Sequence, residues 1–216
     1  ASAASGRRPE RRTRTGMSTG GAPIRVGVFG AGGRMGATVC DAVAADPELE
    51  LVAAVDPGAA GRVVHGIEIG QDPRLLADAG AQVAVDFTVA EAARTNLQWC
   101  ALHGVHAVVG TTGLDDADLD ALGSAFTRSG CVVAANFAIS AVLMMRFAEL
   151  AAPFFDTAEI IELHHDAKVD APSGTAMVTA RRMSAARQGT PWAADPTVHT
   201  VAEGARGGDV DGIRVH

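Results

Sequence analysis

From Ile24 onward the chain alternates short apolar runs, rich in β-branched residues, with longer segments of helical period, and nothing else in it restricts the possible folds as much. The runs IRVGVF (24–29), LVAAV (51–55), VAVDF (83–87), HAVVG (106–110) and CVVAA (131–135) are apolar along most of their length rather than at every second residue. Such strands are buried on both faces, the condition of a parallel sheet covered by helices on either side. Segments 34–45, 72–79, 90–103 and 115–128 supply the helices. The expectation is an α/β fold, a Rossmann-type doubly wound parallel sheet. After Phe137 the rhythm changes: a long helix (139–152), a strand AEIIELHH (158–165), a turn with Pro172, a helix (174–187) and a Gly-rich stretch entering IRVH predict a smaller α+β unit. The expected division is an Arg-rich extension (1–22), a first domain (23–136) and a second domain (137–216).

Composition narrows the function classes. With 48% hydrophobic and 20% charged residues, the 216-residue chain can bury a real core. A formal charge of -7 argues against nucleic acid as a partner, because neutralising phosphates needs clustered Lys and Arg on a folded surface. Five arginines (Arg7, Arg8, Arg11, Arg12, Arg14) against Glu10 mark residues 1–22. That stretch lacks the apolar core of a secretory signal and reads as a disordered extension ahead of a start at Met17, with an organelle transit peptide as the other reading. The apolar run Cys131–Met145 is broken by Asn136 and Ser140 and falls short of the ~20 residues a spanning helix needs, so no membrane partner is expected. Cys40, Cys100 and Cys131 offer no paired spacing for disulfides or a zinc ribbon, and a cytoplasmic location fits them.

The first chemical motif is GAGGRMG, Gly30–Gly36, directly after the first strand and opening the first helix. Gly30 permits the tight turn, Gly33 admits a pyrophosphate to the backbone, and Gly36 lets helix and strand approach closely. Asp56 ends the second strand, where an acid accepts hydrogen bonds from an adenosine ribose. Two later turns, GTTG (110–113) and AANF (134–137), fall at the carboxyl ends of strands, the edge at which open parallel sheets bind ligands.

The densest chemistry is ELHHDAKVDAPSGTA, Glu162–Ala176. Two histidines, a lysine and a Pro-Ser-Gly-Thr helix start bring proton donors together with an anion site, since Gly174 and Thr175 present free backbone N–H groups. If the strand persists, His164 and His165 face opposite ways and do different work. A metal site is not expected, because adjacent histidines and scattered acids lack ligand spacing. Asp86 reads as a strand-end acid tied to local amides, a direct chemical role being the alternative. His65, His103, His106 and His199 read as solvated or locally bonded. Phe147, Phe154 and Phe155 with Met144 and Met145 read as core or subunit contact.

These residues carry a resemblance. GAGGRMG, the DFT of Asp86–Thr88, VVGTTG, AANFAIS and above all ELHHDAKVDAPSGTA resemble the 4-hydroxy-tetrahydrodipicolinate reductase family over Ile24–His216. The resemblance implies NAD(P)H-dependent reduction of a cyclic dicarboxylate imine in lysine and diaminopimelate synthesis, by a Rossmann domain and a substrate domain that also builds a homotetramer. It implies His164 as proton donor/acceptor, Lys168 as second proton donor, and His165, Gly174 and Thr175 as substrate holders. Cofactor would be held by Gly30, Ala31, Gly32, Gly33, Arg34, Met35, Asp56, Gly110, Thr111, Thr112, Ala134, Ala135, Asn136 and Phe137. Asp56 followed by Pro57, without an arginine to pair a 2′-phosphate, predicts NADH preferred over NADPH. Two departures stand out: Ala167 falls where the family's HHxHK has its third histidine, and family members continue beyond the position of His216. The second predicts uncovered strand edges and apolar surface. The competing readings are another Rossmann oxidoreductase, such as a homoserine-dehydrogenase-like enzyme, and a nucleotide-binding fragment without turnover.

Overall fold

A computed structural model describes residues 21–134, 136–166, 168 and 171–216. The strands of the larger unit are β1 (Ile24–Phe29), β2 (Leu49–Val55), β3 (Val63–Val64), β4 (Ile67–Gly70), β5 (Val83–Asp86), β6 (His106–Val109) and β7 (Cys131–Val133). Its helices are α1 (Arg34–Ala45), α2 (Arg74–Asp78), α3 (Ala90–His103) and α4 (Asp116–Ala125). The strands make one sheet in the order β3-β4-β2-β1-β5-β6-β7, parallel except for the β3–β4 hairpin. Central β1 pairs with β2 on one side and β5 on the other, Val28 standing opposite Ala54 and Val85. The chain reverses its direction of growth between β1 and β5, and ligand crevices in open α/β sheets form at such a reversal.

Continuous apolar strands bury both faces, as expected. Val26, Val28, Cys40, Val43 and Ile69 form one core layer with α1. Phe29, Leu76, Ala84 and Cys100 form another, and Leu97, Val109 and Leu122 a third. The β3–β4 hairpin is absent from the expectation because two- and four-residue strands carry too little periodic signal; its turn places His65 and Gly66 at positive φ. Helix α2 is shorter than predicted, bounded by Pro73 and by the left-handed Gly80. Helix α4 stops at Ala125 rather than 128. Asp115 and Asp118 form a reciprocal capping box at its start.

The smaller unit has α5 (Ile139–Ala151), β8 (Glu159–Ile160), α6 (Gly174–Ala186), β9 (Gly208–Val210) and β10 (Ile213–Val215), with sheet order β8-β10-β9. Ala152, Ala180, Met183 and Ile213 form its core. The buried Arg187 donates to the carbonyls of Ala152, Thr190 and Pro191, and its guanidinium lies 4.1 Å from the centre of the Trp192 ring.

Two expectations are corrected here. The strand predicted over 158–165 ends at Ile160. Glu162 N–H still reaches the His216 carbonyl at 2.9 Å, after which Lys168 N–H bonds back to the His165 carbonyl at 3.1 Å and the chain turns. His164 and His165 are therefore outside any strand, and their alternation across one does not apply. The second correction concerns the apolar face of α5, read as core or subunit contact: Met145 is buried, but Phe147 and, beyond the helix, Phe154 are 63% and 84% exposed, so core is excluded for these two and subunit contact is the reading left to them. Ile139 and Leu163 are exposed as well.

Candidate active site

The glycine loop joins β1 to α1. Gly30 is left-handed at φ +72, and a Cβ at Gly36 would overlap the Gly30 carbonyl oxygen, so both positions exclude side chains. Helix α1 begins at Arg34 with no side-chain cap, which leaves its first-turn N–H groups for an anion. Asp56 is already oriented: one carboxylate oxygen accepts from Gly32 N–H at 3.0 Å, the other from Gly58 N–H at 2.9 Å. A Cβ at Gly32 would strike Ala59 and that same carboxylate. Gly30, Gly33, Asp56, Phe87 and Thr88 line a cavity of about 380 Å³ at the crevice between β1 and β5. A glycine loop, an uncapped helix start and a strand-end acid around one cavity fit a dinucleotide.

Not every predicted cofactor residue offers its side chain to that cavity. Ala31 is buried in the core, and its N–H bonds the Val55 carbonyl at 3.4 Å. Arg34 and Met35 stand exposed on the first turn of α1. At Gly110, the space a Cβ would need is taken by the Phe87 ring; Phe87 in turn meets Phe137 with ring centres 6.0 Å apart. The Thr111 hydroxyl donates to Asp86 at 2.8 Å, so its proton is already engaged. Ala135 and Ala167 lie outside the described residues.

Asp86 is the knot of this edge, as its reading as a locally bonded acid anticipated. Its carboxylate is 1% exposed and accepts from Thr88 N–H at 2.9 Å, Thr88 Oγ1 at 2.7 Å, Asn96 Nδ2 at 2.9 Å and Thr111 Oγ1.

The two units meet where the predicted cofactor and substrate residues meet. Thr111, Thr112, Pro172, Gly174, Met177 and Arg181 line a second cavity of about 480 Å³. Asn136 Nδ2 donates to Thr175 Oγ1 at 3.3 Å. Ser173 caps α6 by accepting from Ala176 N–H at 3.1 Å, which leaves Gly174 and Thr175 as the first-turn donors for an anion. Ser173 N–H itself donates to Glu162 Oε1 at 2.8 Å. The other Glu162 oxygen lies 3.9 Å from His164 Nδ1. His164, Glu162, Ser173 and the start of α6 thus form one chain of contacts, with His165 and Lys168 in the adjoining turn. Glu162 and Ser173 stand in the motif, but sequence reasoning gave them no role: their contact joins residues eleven apart across a turn, and no periodicity marks it. Burial pushes the pKa of Glu162 up, but the Ser173 hydrogen bonds and the positive charges of His164 and Lys168 outweigh it and hold the carboxyl below its ordinary value. Among the described residues no group of three or more His, Cys, Asp or Glu is placed to hold a metal, and no helix is long and apolar enough to cross a membrane.

Fold and site together define a two-unit, dinucleotide-dependent oxidoreductase. Residues 24–137 match the family model described as dihydrodipicolinate reductase, N-terminus, and residues 140–216 the one described as dihydrodipicolinate reductase, C-terminus. The 4-hydroxy-tetrahydrodipicolinate reductase of Nocardia farcinica is 48% identical over 197 residues, covering 89% of this chain and 75% of that protein. That of Streptomyces coelicolor is 48% identical over 198 residues, covering 89% and 74%. A solved structure of dipicolinate-bound dihydrodipicolinate reductase from Paenisporosarcina sp. TG-14 superposes with a TM-score of 0.72 at 36% identity, over 90% of this chain and 77% of that one. The chain belongs to the dihydrodipicolinate reductase family. It is an NAD(P)H-dependent oxidoreductase of lysine and diaminopimelate biosynthesis acting on a small molecule, and the homoserine-dehydrogenase-like reading is set aside.

Proposed function

We propose that this chain reduces the cyclic dicarboxylate imine derived from 4-hydroxy-tetrahydrodipicolinate, with residues 23–136 holding the dinucleotide and 137–216 the substrate. The observation that carries the reading is the join between Asn136 and Thr175: it sets the end of the dinucleotide sheet against the start of α6. A bound nicotinamide supplies the hydride. The rest is the work of this chain's side chains and backbone. The Gly174 and Thr175 N–H groups, His165 and the Lys168 ammonium hold the two substrate carboxylates, since compact cations and helix-start amides suit such anions. His164 delivers the proton that neutralises the negative charge left when hydride arrives at an unsaturated ring carbon, with Lys168 as a second donor.

On the dinucleotide side, Gly30, Gly32, Gly33, Arg34 and Met35 receive the pyrophosphate, and the Gly110, Thr112, Ala134, Asn136 and Phe137 edge receives the nicotinamide. Asp56 receives the ribose hydroxyls, so NADH is preferred to NADPH. The exposed Phe147, Leu150 and Phe154 support assembly of the second unit into a homotetramer, and three free cysteines support a cytoplasmic location. Mixing enzyme, NADH and the dicarboxylate imine tests the reading: substrate-dependent loss of NADH absorbance is expected, whereas cofactor binding without turnover would leave a nucleotide-binding fragment.

A further inference from the structure

In the chain of contacts that leads from α6 to His164, the Glu162 side chain is 17% exposed. Its two oxygens have different surroundings. Oε1 is fixed by Ser173 N–H at 2.8 Å. Oε2 is closed off from solvent and, among the described residues, has no hydrogen-bond partner. A carboxylate oxygen removed from water is costly without a donor. The donor facing it is His164 Nδ1, 3.9 Å away, roughly 1 Å beyond ordinary N–H···O hydrogen-bond length.

We propose that Glu162 is the positioning carboxylate of His164: anchored through Oε1 to the start of α6, it takes the Nδ1 proton on Oε2 and so turns Nε2 toward the substrate. This rests on the reading of His164 as the proton-transfer group. In neutral imidazole one nitrogen donates and the other accepts, and a partner on the first fixes the role of the second. Because Ser173 precedes Gly174 and Thr175, the same side chain ties the orientation of the proton donor to the amides that hold the substrate. The charge of Lys168, which also acts on Glu162, keeps that carboxylate ionised and hence an acceptor.

The decisive variant is Glu162→Gln. Its amide oxygen still accepts from Ser173 N–H, but its NH₂ faces Nδ1 as a donor and forces the opposite tautomer. The measurement is ¹⁵N NMR of the imidazole nitrogens in the full chain at about pH 8, where imidazole is largely neutral, with the His164 signals assigned by their loss in His164→Gln. In the unaltered protein His164 should carry its proton on Nδ1; finding it on Nε2 would overturn the proposal whether or not the variant folds. In Glu162→Gln the proton should move to Nε2, turnover should fall about tenfold or more, within the range such orienting partners contribute, and NADH affinity should hold. A folded variant with unchanged tautomer and turnover refutes the positioning role, as a purely structural glutamate would predict. Should His164→Gln retain turnover, the proton-transfer reading fails while the tautomer still decides where Glu162 acts.

Discussion

Thr111 and Asp86, at the carboxyl ends of neighbouring parallel strands, are joined by a 2.8 Å hydrogen bond from the threonine hydroxyl to the buried carboxylate. That bond engages the Thr111 hydroxyl proton, and it ties the GTTG turn to the acid that ends β5. Thr88, which lines the cavity, and Asn96 of α3 hang from the same acid.

Replacing Asp86 with alanine leaves several buried donors without an acceptor, each costing roughly 1 to 3 kcal/mol. Asp86→Ala should lose on the order of 3 kcal/mol or more in urea unfolding, and Thr111→Val about 1 kcal/mol. NADH affinity should weaken in Asp86→Ala, because the cavity edge loosens. A loss under about 1 kcal/mol would mean that other contacts hold the two turns.

His164→Gln should lower turnover by about 10²- to 10⁴-fold, the usual contribution of a general acid–base group, while NADH binding by fluorescence titration stays put. A loss below about fivefold on that scale removes His164 from proton transfer.

Dinucleotide choice turns on Asp56. Both its oxygens hold backbone N–H groups, so the acid is oriented before any ribose arrives, and its charge opposes a 2′-phosphate. Titrated at low ionic strength, where screening is weakest, NADH should bind roughly tenfold tighter than NADPH, a difference of about 1.4 kcal/mol. Asp56→Ala should erase most of that ratio. Equal or tighter NADPH binding by the unaltered protein would assign the decision instead to an arginine that pairs the 2′-phosphate, Arg34 at the start of α1 or Arg62 six residues after Asp56.

The acid limb of stability should carry the signature of Asp118. The Arg94 guanidinium, bonded to it at 2.7 Å, and then the Asp115 N–H hold its carboxyl down at about 2. An unfolded aspartate titrates near ~3.9, so this contribution is complete above that pH and is lost as pH falls toward about 2. Urea midpoints recorded between those limits should fall less steeply in Asp118→Asn, which keeps a capping oxygen but no charge. Parallel profiles for the two proteins would show that Asp118 is not responsible.

The thiols should be silent. Burial, with the neighbouring charge of Asp41, pushes Cys40 up to about 11; burial, with Asp86, pushes Cys100 up to about 12. At about pH 8, well below those values, the folded protein should leave both unmodified by a thiol reagent over the time in which urea-unfolded protein reacts fully. Prompt labelling of Cys100 in the native state would expose local opening of α3.

Legibility in the sequence followed signal length. The continuous runs at β1, β2, β5 and β6 and the periods of α1 and α3 were readable because many residues repeat one message. The Gly30–Gly36 loop was readable for a different reason, since backbone geometry there excludes side chains. The β3–β4 hairpin was not, being too short to show a period. The early end of β8 at Ile160 was hidden too, because the chain turns where Glu162 captures an amide eleven residues later, an event with no local mark. For the same reason the candidate site residues His164, Lys168, Gly174 and Thr175 stood out by chemical type, while Glu162 and Ser173 did not.

The Phe87 ring occupies the place where Gly110 would carry a Cβ, and that fit sets the order in which the two positions can change over evolutionary time. A larger residue at 110 is blocked while phenylalanine stands at 87, and shrinking 87 first opens a void beside Phe137. Neither single step is neutral, so a lineage can leave this pairing only by crossing a less fit intermediate or by changing both together. This edge of the sheet therefore couples the two positions, and a library aimed at it would do better to randomise positions 87 and 110 jointly than one at a time.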